Sequence, residues 1–269
     1  VSVDGHLPGL QRHIVERLFK LVPQQAVLLG TLSQVLSPYD LNPLNINPLR
    51  DLIERFVDFE AIRGDCSREL FIAATNVHTG EQRIFRRAEI TAETVMASAC
   101  LPLVFRAVKI EGVPYWDGGF TGNPPIIPFL SATATEDVLL IQINPRERRM
   151  LPTSSREIIN RLNEISFNAP LLSELRGISL VNRLLDEGRL PRGLRNDEFR
   201  RLRLHRIVMD DSGESFAARS TLKRDYEHFS LLHELGRRAA RRFLDTRYDD
   251  IGRRSTIDLG EDIQAELLE

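Results

Sequence analysis

VPYWDGGFTGNPPIIP, residues 113 to 128, decides how the rest of this chain is read. Val113 to Trp116 reads as a strand returning from Arg106 to Ile110 across the turn Glu111-Gly112. It delivers Asp117 to its end, with Gly118 and Gly119 immediately after. An aspartate between a strand end and two glycines stands where layered folds present chemistry. Two glycines let the backbone pass close to a ligand or to another segment. The same residues also suit a plain β-turn, because Asp-Gly is among the commonest turn pairs. Asn123-Pro124-Pro125 then begins a further turn or helix.

Working outward, Leu70 to Thr75 is a short apolar run and reads as a buried strand, with turn residues 76 to 80 and a return strand at Gln82 to Arg86. Thr91 is a good N-cap for a helix carrying Ala92, Val95, Met96 and Ala99, which Pro102 ends. On the N-terminal side, residues 10 to 22 and 48 to 57 show helical spacing, the second opening on Pro48. Residues 26 to 36 form a short apolar segment, and residues 37 to 49, with three prolines and three asparagines, read as an extended crossing loop. On the C-terminal side, Asp137 to Ile143 is the most continuous β-like run and reads as a central strand. Residues 155 to 185 read as two helices broken near Ala169-Pro170, Arg206 to Met209 as a last strand, and residues 210 to 214 as a loop. Residues 228 to 244 read as an amphipathic helix with Leu231, Leu235, Ala239 and Phe243 in line. From Asp245 onward, eight acidic and three basic residues suggest a loosely attached end. Strands alternating with helices predict an α/β fold class, a layered sheet with flanking helices.

Composition narrows the classes. The chain has 269 residues, 42% of them apolar and 28% charged, with a net charge of −2. That excludes a disordered chain, and two cysteines cannot staple a protein of this length. A near-neutral balance points to no dominant polyanion partner. No stretch approaches the roughly 18 unbroken apolar residues of a membrane helix. Cys66 and Cys100 carry no pattern and read as reduced structural thiols, which makes a cytoplasmic location the expectation. Cys100, in an apolar helix, suits burial as a small hydrophobe better than use as a nucleophile. His228 and His233 are five apart, off a common helix face, and His6 and His13 have no acidic or cysteine ligand grouped with them, so the histidines do not suggest a metal site.

Three segments in one order carry a resemblance: LFIAATNVHTGEQRIF at 70 to 85, ITAETVMASACLPLVFRAV at 90 to 108, and VPYWDGGFTGNPPIIP at 113 to 128. This series resembles the second half of the patatin-like phospholipase family. There, a strand of type TxxxTG leads to a helix reading ASxAxPxxF, then to a strand ending in Asp-Gly-Gly or Asp-Gly-Ala, then to Asn and prolines. Ala97-Ser98, Pro102 and Phe105 match the helix motif. The resemblance implies a lipid acyl hydrolase with a Ser-Asp dyad and no metal or organic cofactor. A serine in a Gly-x-Ser-x-Gly turn attacks the ester carbonyl, and the aspartate activates it without an intervening histidine. The serine needs a base within hydrogen-bond reach, and the developing oxyanion needs fixed donors. Asp117 matches the family's catalytic aspartate; Gly118 and Gly119 match its neighbours and would shape the substrate side of the turn.

The chain departs from the pattern in one large respect: it contains no Gly-x-Ser-x-Gly and no Gly-Gly-Gly loop. Both precede, in the family, the region that starts here. The expectation is a patatin-like domain incomplete at its N-terminal side, with residues 1–145 its C-terminal portion and residues 146–269 a helical and strand extension packed on it. Three readings follow. The first half lies on a separate polypeptide; or the active segment has been left out of this chain; or the protein is a catalytically inactive binding or regulatory member. A sheet lacking its first strands would expose edges and apolar surface, which favours an N-terminal fragment carrying Gly-x-Ser-x-Gly as partner. This chain alone is then expected to be inactive.

Residues 146 to 206 hold fourteen arginines against eight acidic residues, and residues 228 to 244 add Arg237, Arg238, Arg241 and Arg242. One reading is a basic face making peripheral contact with an anionic membrane, suited to a lipid or ester substrate. The other is a solvated helix surface with local ion pairs. No nucleic-acid-binding motif or aromatic interleaving accompanies the arginines.

Overall fold

The computed structural model describes residues 37–65, 67–128, 133–143, 150–189, 200–208 and 226–257. The chain divides into two compact units, Val1–Gly118 with Phe216–His233, and Gly119–Ser215 with Glu234–Glu269. The expected helix at 10 to 22, the apolar segment at 26 to 36, Cys66 and the loop at 210 to 214 lie outside the described residues.

In the first unit, helices α1 (Pro38–Leu41), α2 (Pro48–Phe56) and α3 (Phe59–Gly64) precede strands β1 (Phe71–Asn76) and β2 (Gln82–Arg86). Helix α4 (Ala92–Ser98) then leads to β3 (Val108–Ile110) and β4 (Val113–Asp117). The strands form one antiparallel sheet in the order β2-β1-β4-β3. Both hairpins expected from sequence are present. Gly80 closes the first at φ +72°, and Glu111 and Gly112 close the second at φ +51° and +83°. Two successive left-handed residues match the right-handed twist of the flanking strands. Helix α4 packs on β1, β3 and β4. The core gathers Ala74, Phe85, Ile90, Ala97 and Tyr115, with Phe85 and Tyr115 in an edge-on ring contact at 5.5 Å.

Three local expectations in this unit are corrected. The crossing loop at 37 to 49 contains α1, because Ser37 and Asp40 form a reciprocal capping box and Pro38 sits at the first helical turn. Helix α4 stops at Ser98, well before Pro102; the chain turns at Leu101, whose carbonyl accepts from the amides of Val104 and Phe105. Strand β3 begins at Val108 rather than Arg106. The cap of α4 is as expected: Thr91 accepts from the Thr94 amide, and the Thr94 hydroxyl takes the part usually played by an acidic side chain.

In the second unit, β5 (Asp137–Gln142) and β6 (Arg203–Val208) pair in parallel, with helix α5 (Ser155–Asp186) as the crossover between them. Helix α6 (Tyr226–Arg247), the amphipathic helix expected from sequence, runs on into this unit with Ala239 and Phe243 buried. One unit holds an antiparallel sheet and the other a parallel pair with a helical crossover, which is the mixed α/β class read from sequence.

Helix α5 is one 32-residue helix rather than two. Pro170 removes one amide donor, but it sits beside a strongly apolar stripe. Leu171, Leu175 and Ile178 are all buried, together with Ile126, Leu140, Leu202, Leu204 and Ile257. Each such side chain contributes about 1.5–3 kcal/mol on burial, enough to carry the helix through the proline. Strand β5 is not central among the described residues: it pairs with β6 alone, and Leu139 and Ile141 on its outer face are 45% and 69% exposed. The segment after α6 is docked as far as Ile257. The Gly252 amide donates to Asp137, the Leu204 amide donates to Ser255 Oγ, and the amides of Thr256 and Ile257 donate to the Leu204 carbonyl.

Candidate active site

Asp117 is the last residue of β4 and stands opposite Ala74 of β1. Three contacts fix its backbone. Its amide donates to the Cys100 carbonyl at 2.9 Å, tying it to the end of α4. Its carbonyl accepts from the buried Thr75 hydroxyl at 2.8 Å. Immediately after it, Gly118 lies against β1: a β-carbon there would stand 2.2 Å from the Ala73 carbonyl oxygen. Glycine is required at 118 by this close approach, not by a left-handed conformation. Gly118 and Gly119 are buried in a short 3₁₀ turn, Gly118–Phe120, while Asp117 is only half-buried. The chain continues through a cis peptide at Asn123-Pro124.

The Asp117 carboxylate is close enough to act electrostatically on Cys100. Burial pushes the Cys100 thiol up to about 11, and the negative charge of Asp117 adds to that rise. The thiol donates to the Arg106 carbonyl at 3.2 Å and is 1% exposed. It is a protonated, enclosed group at neutral pH, consistent with the structural role read from sequence.

The sequence reading marked Asp117, Gly118 and Gly119, and the structure brings them together in one tight strand-end turn. It did not identify Thr75 or the Cys100 carbonyl as the groups that hold Asp117. Thr75 was visible as the first threonine of the TxxxTG stretch; the carbonyl of Cys100 has no sequence signal.

A second group of charges lies in the other unit. Asp137 of β5 receives both Nε and Nη2 of Arg203, at 2.9 and 2.7 Å, together with the Gly252 amide and His205 Nε2 at 3.0 Å. The Arg203 guanidinium, first among these, holds the Asp137 carboxyl far below the usual carboxylate range. His205 is 1% exposed, and its Nδ1 has no hydrogen-bond partner among the described residues. No nucleophile completes this pair among the described residues, and its contacts tie β5, β6 and the segment after α6 together. Glu174 of α5 accepts from the amides of Ile126 and Ile127, and burial raises its carboxyl above the ordinary value. Among the described residues, no three His, Cys, Asp or Glu side chains gather as a metal-binding group.

By fold this is an α/β protein whose first unit presents an aspartate at a strand end. Residues 16–130 match the family model of patatin-like phospholipase. The matched segment contains all three sequence motifs and Asp117, Gly118 and Gly119. No curated protein matches the chain at a significant level. The family match suggests a lipid acyl hydrolase or esterase activity. No helix among the described residues is long and apolar enough to cross a membrane.

Proposed function

We propose that this chain contributes the catalytic base of a Ser-Asp lipid acyl hydrolase, with Asp117 as that base. The serine and the oxyanion donors come from sequence outside these 269 residues, which contain no Gly-x-Ser-x-Gly. Asp117 accepts the serine proton as the serine oxygen attacks the ester carbonyl. Collapse of the tetrahedral adduct expels the alcohol, which takes that proton. Water then attacks the acyl-serine, again giving its proton to Asp117, and the carboxylic acid leaves as the serine recovers its hydrogen.

The observation that carries this reading is the way Asp117 is held. Its backbone is fixed on both sides by Cys100 and Thr75, the next residue admits no side chain, and Asp117 itself is only partly buried. A general base needs this combination of fixed position and access, since an error of about 1 Å costs roughly 100-fold in rate. Exposed apolar side chains along β5 and just beyond it support the partner segment. Leu139, Ile141 and Ile143 are 45%, 69% and 68% exposed, and apolar surface of this kind is what an added element covers.

The test is labelling by a fluorophosphonate serine probe. This chain alone should remain unlabelled, while an assembly that includes the Gly-x-Ser-x-Gly segment should label on that serine. An unlabelled assembly that turns over no p-nitrophenyl ester would leave a binding or regulatory role instead.

A further inference from the structure

The arginines counted in the sequence are not evenly spread. Two of them, Arg183 and Arg201, together with Arg247 and Arg254 from further along the chain, line one cleft of about 510 Å³ in the second unit. Arg183 comes from the last turn of α5, Arg201 from the approach to β6, Arg247 from the end of α6, and Arg254 from the turn beyond it. Ser255 and Thr256 add hydroxyl groups to the same wall.

The walls are held by contacts that leave donors over. Asn182 is spent on Leu202, donating to its carbonyl at 2.9 Å and accepting from its amide at 3.0 Å. Ser255 Oγ accepts from the Leu204 amide, so its own hydrogen remains to be donated. Arg201 pairs with Asp186 at 2.8 Å. Arg247 and Arg254 share the single carboxylate of Asp250, at 3.6 and 2.7 Å. Glu187 pairs with Arg189 at 3.4 Å. Arg183 has no carboxylate partner among the described residues. Four guanidiniums thus line the cleft against the two carboxylates of Asp186 and Glu187, an excess of two positive charges around a concave surface.

Ordinary surface ion pairing accounts for Arg201 and Arg254 singly, and the negative end of α5 favours a cation at Arg183. It does not account for the convergence of four arginines on one cleft with more positive than negative charge. The size falls in the range of small-molecule sites. Among the described residues no aromatic ring lines the cleft, so these offer nothing on which a base could stack. Guanidinium forks beside hydroxyl donors match the oxygens of a phosphate.

We infer that this cleft binds a phosphate monoester, with Arg183 and Arg201 as its principal cationic contacts and Ser255 and Thr256 as hydroxyl donors. The excess of two charges matches a dianion. The monoester is either a soluble metabolite phosphate or the headgroup of a lipid of phosphatidic acid type. This inference stands on the second unit alone and does not depend on Asp117.

Calorimetric titration of the full chain with glycerol 3-phosphate, and flotation with phosphatidylcholine vesicles with and without phosphatidic acid, test it together. Saturable binding of glycerol 3-phosphate without vesicle binding assigns a soluble ligand; phosphatidic-acid-dependent flotation assigns the lipid source. In either arm Arg183→Gln should weaken binding about tenfold, in keeping with the loss of one charge-assisted contact. Arg201→Gln should do the same, while Arg241→Gln, on α6 but away from the cleft, should leave binding unchanged. Arg183 is exposed, so its replacement leaves the fold intact, which circular dichroism checks. Absence of binding in both arms overturns the inference. So does binding that Arg183→Gln and Arg241→Gln lower equally, since that is the response of diffuse surface charge.

Discussion

Replacing Gly118 by alanine places a methyl carbon 2.2 Å from the carbonyl oxygen of Ala73, 2.6 Å from its carbonyl carbon and 2.9 Å from its β-carbon. Two of the three obstacles are backbone atoms, so no rotamer change relieves the clash. The end of β4 must move off β1 by about 1 Å to restore ordinary van der Waals separation. That motion opens the pairing of Ala74 with Asp117 and stretches the hydrogen bond from the Thr75 hydroxyl to the Asp117 carbonyl. Overpacking of this kind costs about 1–3 kcal/mol, and the weakened hydrogen bond adds about 1 kcal/mol. The sum of about 2–4 kcal/mol lowers the thermal midpoint by roughly 5–15 °C for a chain of this size. Thermal unfolding followed by circular dichroism reads the shift. Gly112→Ala is the comparison: its β-carbon meets nothing within 4 Å, and only its φ of +83° carries strain. That variant should lose about 1 kcal/mol. Gly64→Ala, with open space and no positive φ, should be neutral or slightly stabilising. A Gly118→Ala protein as stable as the wild type, or less affected than Gly112→Ala, would refute the claim that close approach to β1 positions Asp117.

Three further outcomes are expected. Asp137 has a carboxyl depressed by Arg203, the Gly252 amide and His205, so its contribution is fully present above the ordinary carboxylate range and is lost as the pH falls through the depressed value. Asp137→Asn should therefore lower stability near neutrality and flatten the acid limb of a stability-against-pH curve; an unchanged acid limb would count against the network. The Cys100 thiol, pushed up to about 11, should resist iodoacetamide at pH 8 in a Cys66→Ser background and react fully only after unfolding; rapid native labelling would contradict its enclosure. Pro170→Ala restores an amide donor within a continuous helix and should raise stability by about 1–3 kcal/mol in denaturant unfolding; destabilisation would mean that the proline is needed to shape α5.

The strand-end turn was legible in the sequence because its signals are local: alternation, Glu111-Gly112, and an aspartate before two glycines. The hairpins and the cap of α4 were legible for the same reason. The length of α5 was not. A proline marks a local penalty, while the compensation comes from Leu171, Leu175 and Ile178 packing against distant strands. The acidic segment beyond α6 looked detachable by charge, yet the Gly252 amide and the Ser255 hydroxyl dock it through contacts that composition does not encode. At the candidate site, Asp117 and its glycines were readable, but the reason for Gly118 was not, because the obstacle belongs to Ala73, far away in sequence. The arginine-rich stretch was equally plain, whereas the meeting of Arg183 and Arg201 with Arg247 and Arg254 in one cleft depends on four segments coming together.

Ester hydrolysis by Asp117→Asn tests most directly whether Asp117 acts as the base. With the serine-bearing segment present, the variant should fold as the wild type does, since the backbone contacts of residue 117 are retained. Its rate on a p-nitrophenyl ester should fall by about 10²–10⁴-fold, the range that a positioned general base supplies. A folded Asp117→Asn assembly that hydrolyses the ester at the wild-type rate would contradict the account.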